Sequence, residues 1–306
     1  MAAPSAHGVG LSAASTDLPV QRSSRPRDPL VLAAWLTVRD PMGALGLAVL
    51  GLVVLAAILA PWISPYSPII QHPDHLLAVP SATFPLGTDE FGRDLLSRII
   101  WGARVSLLVG LVAVALGAGV GVGSGLLSGY VGGWVDAVIM RIYDAVLAFP
   151  TILLGVGVVT VLGPGNVNVA LALAVAQTPV FARLARASVL SEREREYVTA
   201  AISVGAGRGR IMVRHVLPNI LGPIIVQLSL AMSFAVITEA ALSFLGLGTQ
   251  PPTASWGQML NDSRAYLREA PWYGIWPGVA LGLLLISLNF LADVFRDSLD
   301  PRRAGT

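Results

Sequence analysis

The chain of 306 residues contains no cysteine, and only 12% of its residues are charged. The 20 basic residues are all arginine, so lysine is missing as well. Without cysteine there are no disulfides, thiolate nucleophiles or thiolate metal ligands. Without lysine there is no Schiff-base catalyst, and no P-loop lysine to contact a nucleotide phosphate. The formal net charge of +2 is too small to suggest a nucleic-acid partner. A soluble globular domain carries about 25% charged residues, roughly twice the fraction here. What is abundant instead is apolar: hydrophobic residues make up 54% of the chain. A chain this apolar cannot shield itself from water as one domain, and lipid is its natural solvent.

The first 29 residues are rich in Ala, Ser, Pro and Arg and hold no long apolar core. They read as the start of a disordered cytoplasmic tail, taken to run over 1–39, rather than as a cleavable signal peptide. A second short tail is expected over 301–306.

A spanning helix needs about 20 apolar residues. Charge-free intervals therefore place the spans, at about 43–62, 105–130, 145–162, 167–182, 219–245 and 275–291. The third and fourth share one long interval divided by Gly163-Pro164-Gly165-Asn166, which is turn chemistry and implies a hairpin of two short helices. The second is dense in glycine (Gly117, Gly119, Gly121, Gly123, Gly125), which favours close helix–helix contact. The fold class is all-α, a polytopic membrane protein with six transmembrane helices. With the N-terminus inside, fifteen arginines fall on the cytoplasmic side and five outside. That asymmetry predicts both termini in the cytoplasm of a multi-pass cell (inner/plasma) membrane protein.

The largest cytoplasmic piece, 183–218, reads as two short helices joined by a glycine turn at Gly205, Gly207 and Gly209. Within it, Thr199-Ala200-Ala201, Gly205 and Leu217-Pro218 resemble the EAA loop of ABC-importer permeases. In that pattern Thr199 stands for Glu, and His215 stands where the family has Ile. Glu196, three residues earlier, can supply the missing acidity. Small residues at 200 and 201 suit close backbone approach, and Gly205 suits a conformation that a Cβ disfavours. The resemblance implies that Glu196, Thr199, Ala200, Ala201, Gly205, His215, Leu217 and Pro218 couple the spans to an ATPase subunit.

Outside the first span, Leu86-Gly87-Thr88-Asp89, Gly92-Arg93-Asp94, Ser97-Arg98 and Gly102-Ala103-Arg104 resemble a motif of the C-type permease subunit of dipeptide and oligopeptide importers. The stretches Gly132 to Pro150 and Glu239 to Gly257 resemble the same family, and the likeness covers about 40–300. Read on its own chemistry, the outer patch of Asp89, Glu90, Asp94, Arg93, Arg98 and Arg104 caps helices and pairs charges, with direct substrate contact as the alternative.

Glu239 is the only acid in the fifth apolar stretch, so it is expected to face a partner, a water-filled path or the solvated interface. With Gln227 and Asn289 it forms the candidate lining of the translocation path. His72-Pro73-Asp74-His75 makes a poor metal site, and His215 is expected to pack rather than titrate; no metal and no catalytic residue is assigned.

The resemblance implies the type I ABC-importer permease fold and half of a translocation path for dipeptides or oligopeptides, with a nickel or glutathione importer of the same family as the alternative. Implied partners are a homologous B-type permease subunit, two ATP-binding cytoplasmic subunits, an extracytoplasmic solute-binding protein and membrane lipid. The chain itself is no enzyme and carries no cofactor; ATP and Mg sit on the partner subunits. An intramembrane protease is disfavoured because no zinc motif or buried Asp pair is present. A secondary transporter is disfavoured because no internal repeat is visible.

Overall fold

The computed structural model describes residues 38–299. The expected tails therefore lie outside the described residues, except for Val38 and Arg39. Ten α-helices and no named strand occur among the described residues.

Helix α1, Pro41–Ile63, opens on Asp40, whose side chain accepts from the Gly43 N–H at 2.8 Å. Proline at the first helical position adds a preset φ. After an outer segment, α2 covers Leu95–Val131, capped by Asp94 through the Ser97 N–H. It begins ten residues before the interval 105–130. Arg98 and Arg104 interrupt the apolar run without interrupting the helix.

The third crossing departs from the expected single helix over 145–162. It consists of α3, Gly133–Leu147, and α4, Thr151–Leu162, bent by 91° to each other. Pro150 explains the break, because it lacks an N–H and pushes Phe149 out of helical space. Helix α5, Asn166–Glu192, extends ten residues past the expected end at 182. Two short helices follow, α6 at Glu196–Ser203 and α7 at Arg208–Ile211. A π-turn, Met212–Val216, then leads into α8, Leu217–Phe244. Helix α9, Trp256–Ser263, and α10, Pro271–Leu299, complete the chain. Among the described residues five helices are long and apolar enough to cross a membrane, and the bent pair, counted as one span, gives six.

The centre of the bundle is the α2–α5 pair, the most extensive helix contact. Four glycines spaced by one turn make it possible. A Cβ added at Gly117, Gly121, Gly125 or Gly129 would lie 3.0, 2.5, 2.3 or 2.9 Å from the carbonyl of Ala174, Thr178, Ala182 or Arg186. Gly119 and Gly123, on the other face of α2, have open space around them. In lipid such close approach replaces the hydrophobic drive that water supplies to soluble bundles.

This seam predicts a position-specific response. Gly125→Val should cost about 3 kcal/mol through overpacking. Gly123→Val should leave stability nearly unchanged. Thermal unfolding of the two variants in detergent measures the difference.

Candidate functional site

The end of the bundle where α2 and α5 finish carries the 183–218 loop. Its first ten residues belong to α5, and Arg193 turns the chain, donating to the Gly129 carbonyl at 3.1 Å. Helix α6 then lies across the bundle end. Its apolar side is buried: Val198 is 1% and Ala201 8% exposed. They sit in one cluster with Leu126 of α2, Ala185 and Val189 of α5, and Ile220 and Ile224 of α8. That cluster, the seat of the helix, gathers side chains from three spans around its buried side. Burying a valine side chain contributes about 1.5–3 kcal/mol.

A hydrogen-bonded chain pins the same helix from the side. The Tyr197 hydroxyl donates to Glu192 Oε2 at 2.7 Å. The Asn219 amide donates to the His215 carbonyl at 2.6 Å and to the Tyr197 oxygen at 3.3 Å. Burial, with the Glu192 carboxylate beside it, pushes the Tyr197 phenol up to about 12, so it stays a neutral donor.

The opposite side of α6 is open: Glu196, Thr199, Ala200 and Ser203 are exposed. Ile202, one turn after Val198 on the same face, is 57% exposed and lines a cleft with Val198 and Tyr130, and Val204, just past the helix end, is 83% exposed. Gly205 follows with φ +79°, a conformation that turns the chain toward α7 and that a Cβ would strain. His215 and Leu217 are half-buried and Pro218 is exposed in the first turn of α8. The eight residues of the expected coupling set therefore share one end of the bundle, with Ala201 on the seat.

The other three candidate residues are not brought together. Glu239, expected to face a partner, a water-filled path or the solvated interface, is 1% exposed in this conformation and faces a partner. Its carboxylate accepts from Ser106 of α2 at 3.0 Å and from Ser243 at 2.7 Å, which ties two spans together. The buried hydroxyls satisfy the carboxylate, so water access is not needed. Gln227 is half-buried on α8, and Asn289 is exposed on α10.

At the far end, residues 64–94 form a rigid cap. Asp89 accepts from the Phe91 and Arg93 N–H groups at 2.9 Å each, and pairs with Arg93 at 2.6 Å and Arg98 at 3.2 Å. Arg98 also donates to the Pro68 carbonyl at 3.1 Å. His72 and His75 stack around the Phe84 ring, with centroids 5.3 Å away, which gives them a packing role. Among the described residues no group of three or more His, Cys, Asp or Glu could hold a metal. Sequence reasoning missed Val198, Tyr197 and Ile202; the i, i+3 pair Val198–Ala201 was the available signal for the seat.

Comparison with known proteins gives a consistent picture. The family of binding-protein-dependent transport system inner membrane components matches over 121–305, and the N-terminal TM domain of oligopeptide transport permease C matches over 30–80. A di/tripeptide transport system permease of Pseudomonas aeruginosa is 46% identical over 275 residues, covering 88% of this chain and 91% of the relative. A dipeptide transport system permease of Escherichia coli K12 is 46% identical over 86% of this chain and 90% of its own. One from Alkalihalophilus pseudofirmus is 44% identical, covering 86% and 87%. A solved structure of the MetNI methionine ABC transporter, inward facing, matches with TM-score 0.54 and 19% identity, covering 66% of this chain and 96% of that one. At that identity the likeness speaks to the fold.

Two outcomes are expected of the cap. Asp89→Asn leaves two buried guanidinium groups short of their shared partner and should cost about 3–5 kcal/mol. Burial and then the Glu90 charge push the Asp262 carboxyl up to about 6. Below about pH 4 it is protonated folded and unfolded alike. Between there and about pH 6 the folded form keeps a proton that the unfolded chain has lost, so this group's contribution falls as pH rises. Melting temperature against pH should be flatter across that window in Asp262→Asn than in the wild type.

Proposed function

Because the chain belongs to the family of binding-protein-dependent transport system inner membrane components, we propose that it is the C-type membrane-spanning half of an ATP-driven importer of dipeptides or oligopeptides. The curated relatives named above are permeases of dipeptide or di/tripeptide systems, and this supports peptides over nickel or glutathione as the cargo. A homologous permease subunit completes the path, two cytoplasmic ATPases drive it, and an extracytoplasmic binding protein delivers the solute. ATP and Mg are held by the ATPases; this chain lacks the lysine that a P-loop uses. Both termini lie in the cytoplasm, as the arginine asymmetry favours.

The observation that carries the reading is the two-sided helix α6. One side carries Val198 and Ala201 in a buried cluster with residues of α2, α5 and α8, and the other side presents Thr199, Ala200 and Ser203 to solvent, with Val204 exposed just past the helix end. Exposed apolar groups rimmed by Arg195, Glu196 and Arg208 suit a groove in a separate protein. When that protein closes on ATP, its displacement passes through the seat into three spans together. Solute then meets outward- and inward-open states with different affinity.

Co-purification tests this. The wild-type chain should bring down two ATPase subunits. Ala200→Asp, which adds a charge to the open side away from Val198, should reduce ATPase retention at least about tenfold, a loss of about 1.4 kcal/mol of docking energy. Full retention by this variant would refute α6 as the dock.

A further inference from the structure

Given the permease reading, we infer that the break between α3 and α4 lines the water-filled path, with Phe149 as the side chain that closes it. The break consists of Ala148, Phe149 and Pro150, all exposed, with Phe149 at 61%. Ile152 and Leu153, in the first turn of α4, are exposed beside it.

Depth and backbone chemistry decide what can cover it. Helix α4 has 12 residues, so at 1.5 Å per residue the break lies about 18 Å from the turn at Gly163–Gly165. That turn is fixed to the bundle end: the Gly165 N–H donates to the Leu247 carbonyl at 3.3 Å, and the Asn168 amide donates to the Leu162 and Gly163 carbonyls. With α4 taken as the outer part of the third crossing, the break sits short of the roughly 30 Å of hydrocarbon, on the cytoplasmic half where Asp144 meets Arg183. The first N–H groups of a helix have no partner inside it, and Pro150 supplies no side-chain cap to α4. Acyl chains cannot satisfy those groups, whereas water or a passing peptide backbone can. Irregular backbone at this depth is tolerated where it faces a water-filled cavity or protein. The exposed Phe149, Ile152 and Leu153 then form a hydrophobic constriction of the kind that closes by excluding water.

The same geometry connects the constriction to the ATPase dock. Arg186 of α5 makes a two-pronged pair with Asp136 of α3, at 2.5 and 2.6 Å. Arg183 of α5 pairs with Asp144 of α3 at 2.5 Å, one turn before the break. Helix α5 runs directly into the turn that carries α6. Helix α3 itself has no buried residue; these two pairs hold it to α5, while Ser128, donating to Asp136, and the 2.7 Å contact between the Ser124 and Tyr143 hydroxyls hold it to α2. A push on α6 shifts α5, and the pairs transmit the shift to α3 and so to Phe149.

The chain has no cysteine, so a single introduced thiol reports from one place. Phe149→Cys and Leu153→Cys are placed separately in the complete importer, reconstituted in proteoliposomes and treated with a membrane-impermeant maleimide. Labelling of this chain should change at least about tenfold between the nucleotide-free state and the state held by a non-hydrolysable ATP analogue. Labelling only by a lipid-soluble maleimide would place the break against lipid and overturn the inference. Labelling by neither reagent would place it against permanent protein cover, and equal rates in the two states would deny it a gating role; each result also overturns the inference. Retained ATPase subunits and ATP hydrolysis in these preparations keep the permease reading intact while the inference fails. A wild-type preparation without ATPase subunits would overturn both.

Discussion

The buried cluster that gathers Val198 and Ala201 with side chains at the ends of α2, α5 and α8 sets what the rest of the structure can do. A short helix of eight residues is marginal on its own in water. Its persistence here comes from that seat, from the Tyr197–Glu192 bond and from the Gly205 turn that ends it. Because the cluster draws on three spans, a force applied to α6 is shared among them rather than borne by one helix. The close glycine seam between α2 and α5 favours movement as a body, since two helices in backbone contact cannot slide past one another without losing the fit.

Polarity inside the membrane is spent on holding helices together. Glu239 joins α8 to α2 through Ser106, and Ser243 completes its shell. At the far end, Asp89 gathers two arginines and two backbone N–H groups into one closed cluster. These sites are rigid by construction. The bent third crossing is different, being open on one side and fastened by two ion pairs at half-exposed or exposed positions. Exposed pairs are weak and screened, which suits an element that changes position during transport better than one that sets the fold.

Much of this was legible from residue order. Four of the six charge-free intervals, 43–62, 105–130, 167–182 and 275–291, fall inside helices, and Gly205 stands where the chain needs a positive φ. Helix ends were less legible. Arg98 and Arg104 look like the edge of a span, yet α2 continues through them because Asp89 neutralises Arg98 at a distance. The glycines of α2 signalled close packing, but residue order could not say that Gly117, Gly121 and Gly125 face a neighbour while Gly119 and Gly123 do not. Ala148-Phe149-Pro150 carried only a weak signal of a break, since Pro179, Pro223 and Pro277 lie inside helices that continue through them. Glu239 could not be placed for a plain reason: its partner Ser106 lies 133 positions away, and without it a lone acid in an apolar run suggests a path as readily as a partner.

The rigid-body claim is open to a direct distance measurement. Spin labels at Ile202→Cys on α6 and Leu127→Cys on α2 both sit at exposed positions, and the chain offers no competing thiol. In the assembled importer, pulsed electron–electron resonance should give one distance that is the same without nucleotide and with bound ATP. A distance that lengthens or splits on ATP binding would mean that α6 leaves its seat, and the transmission described here would be wrong.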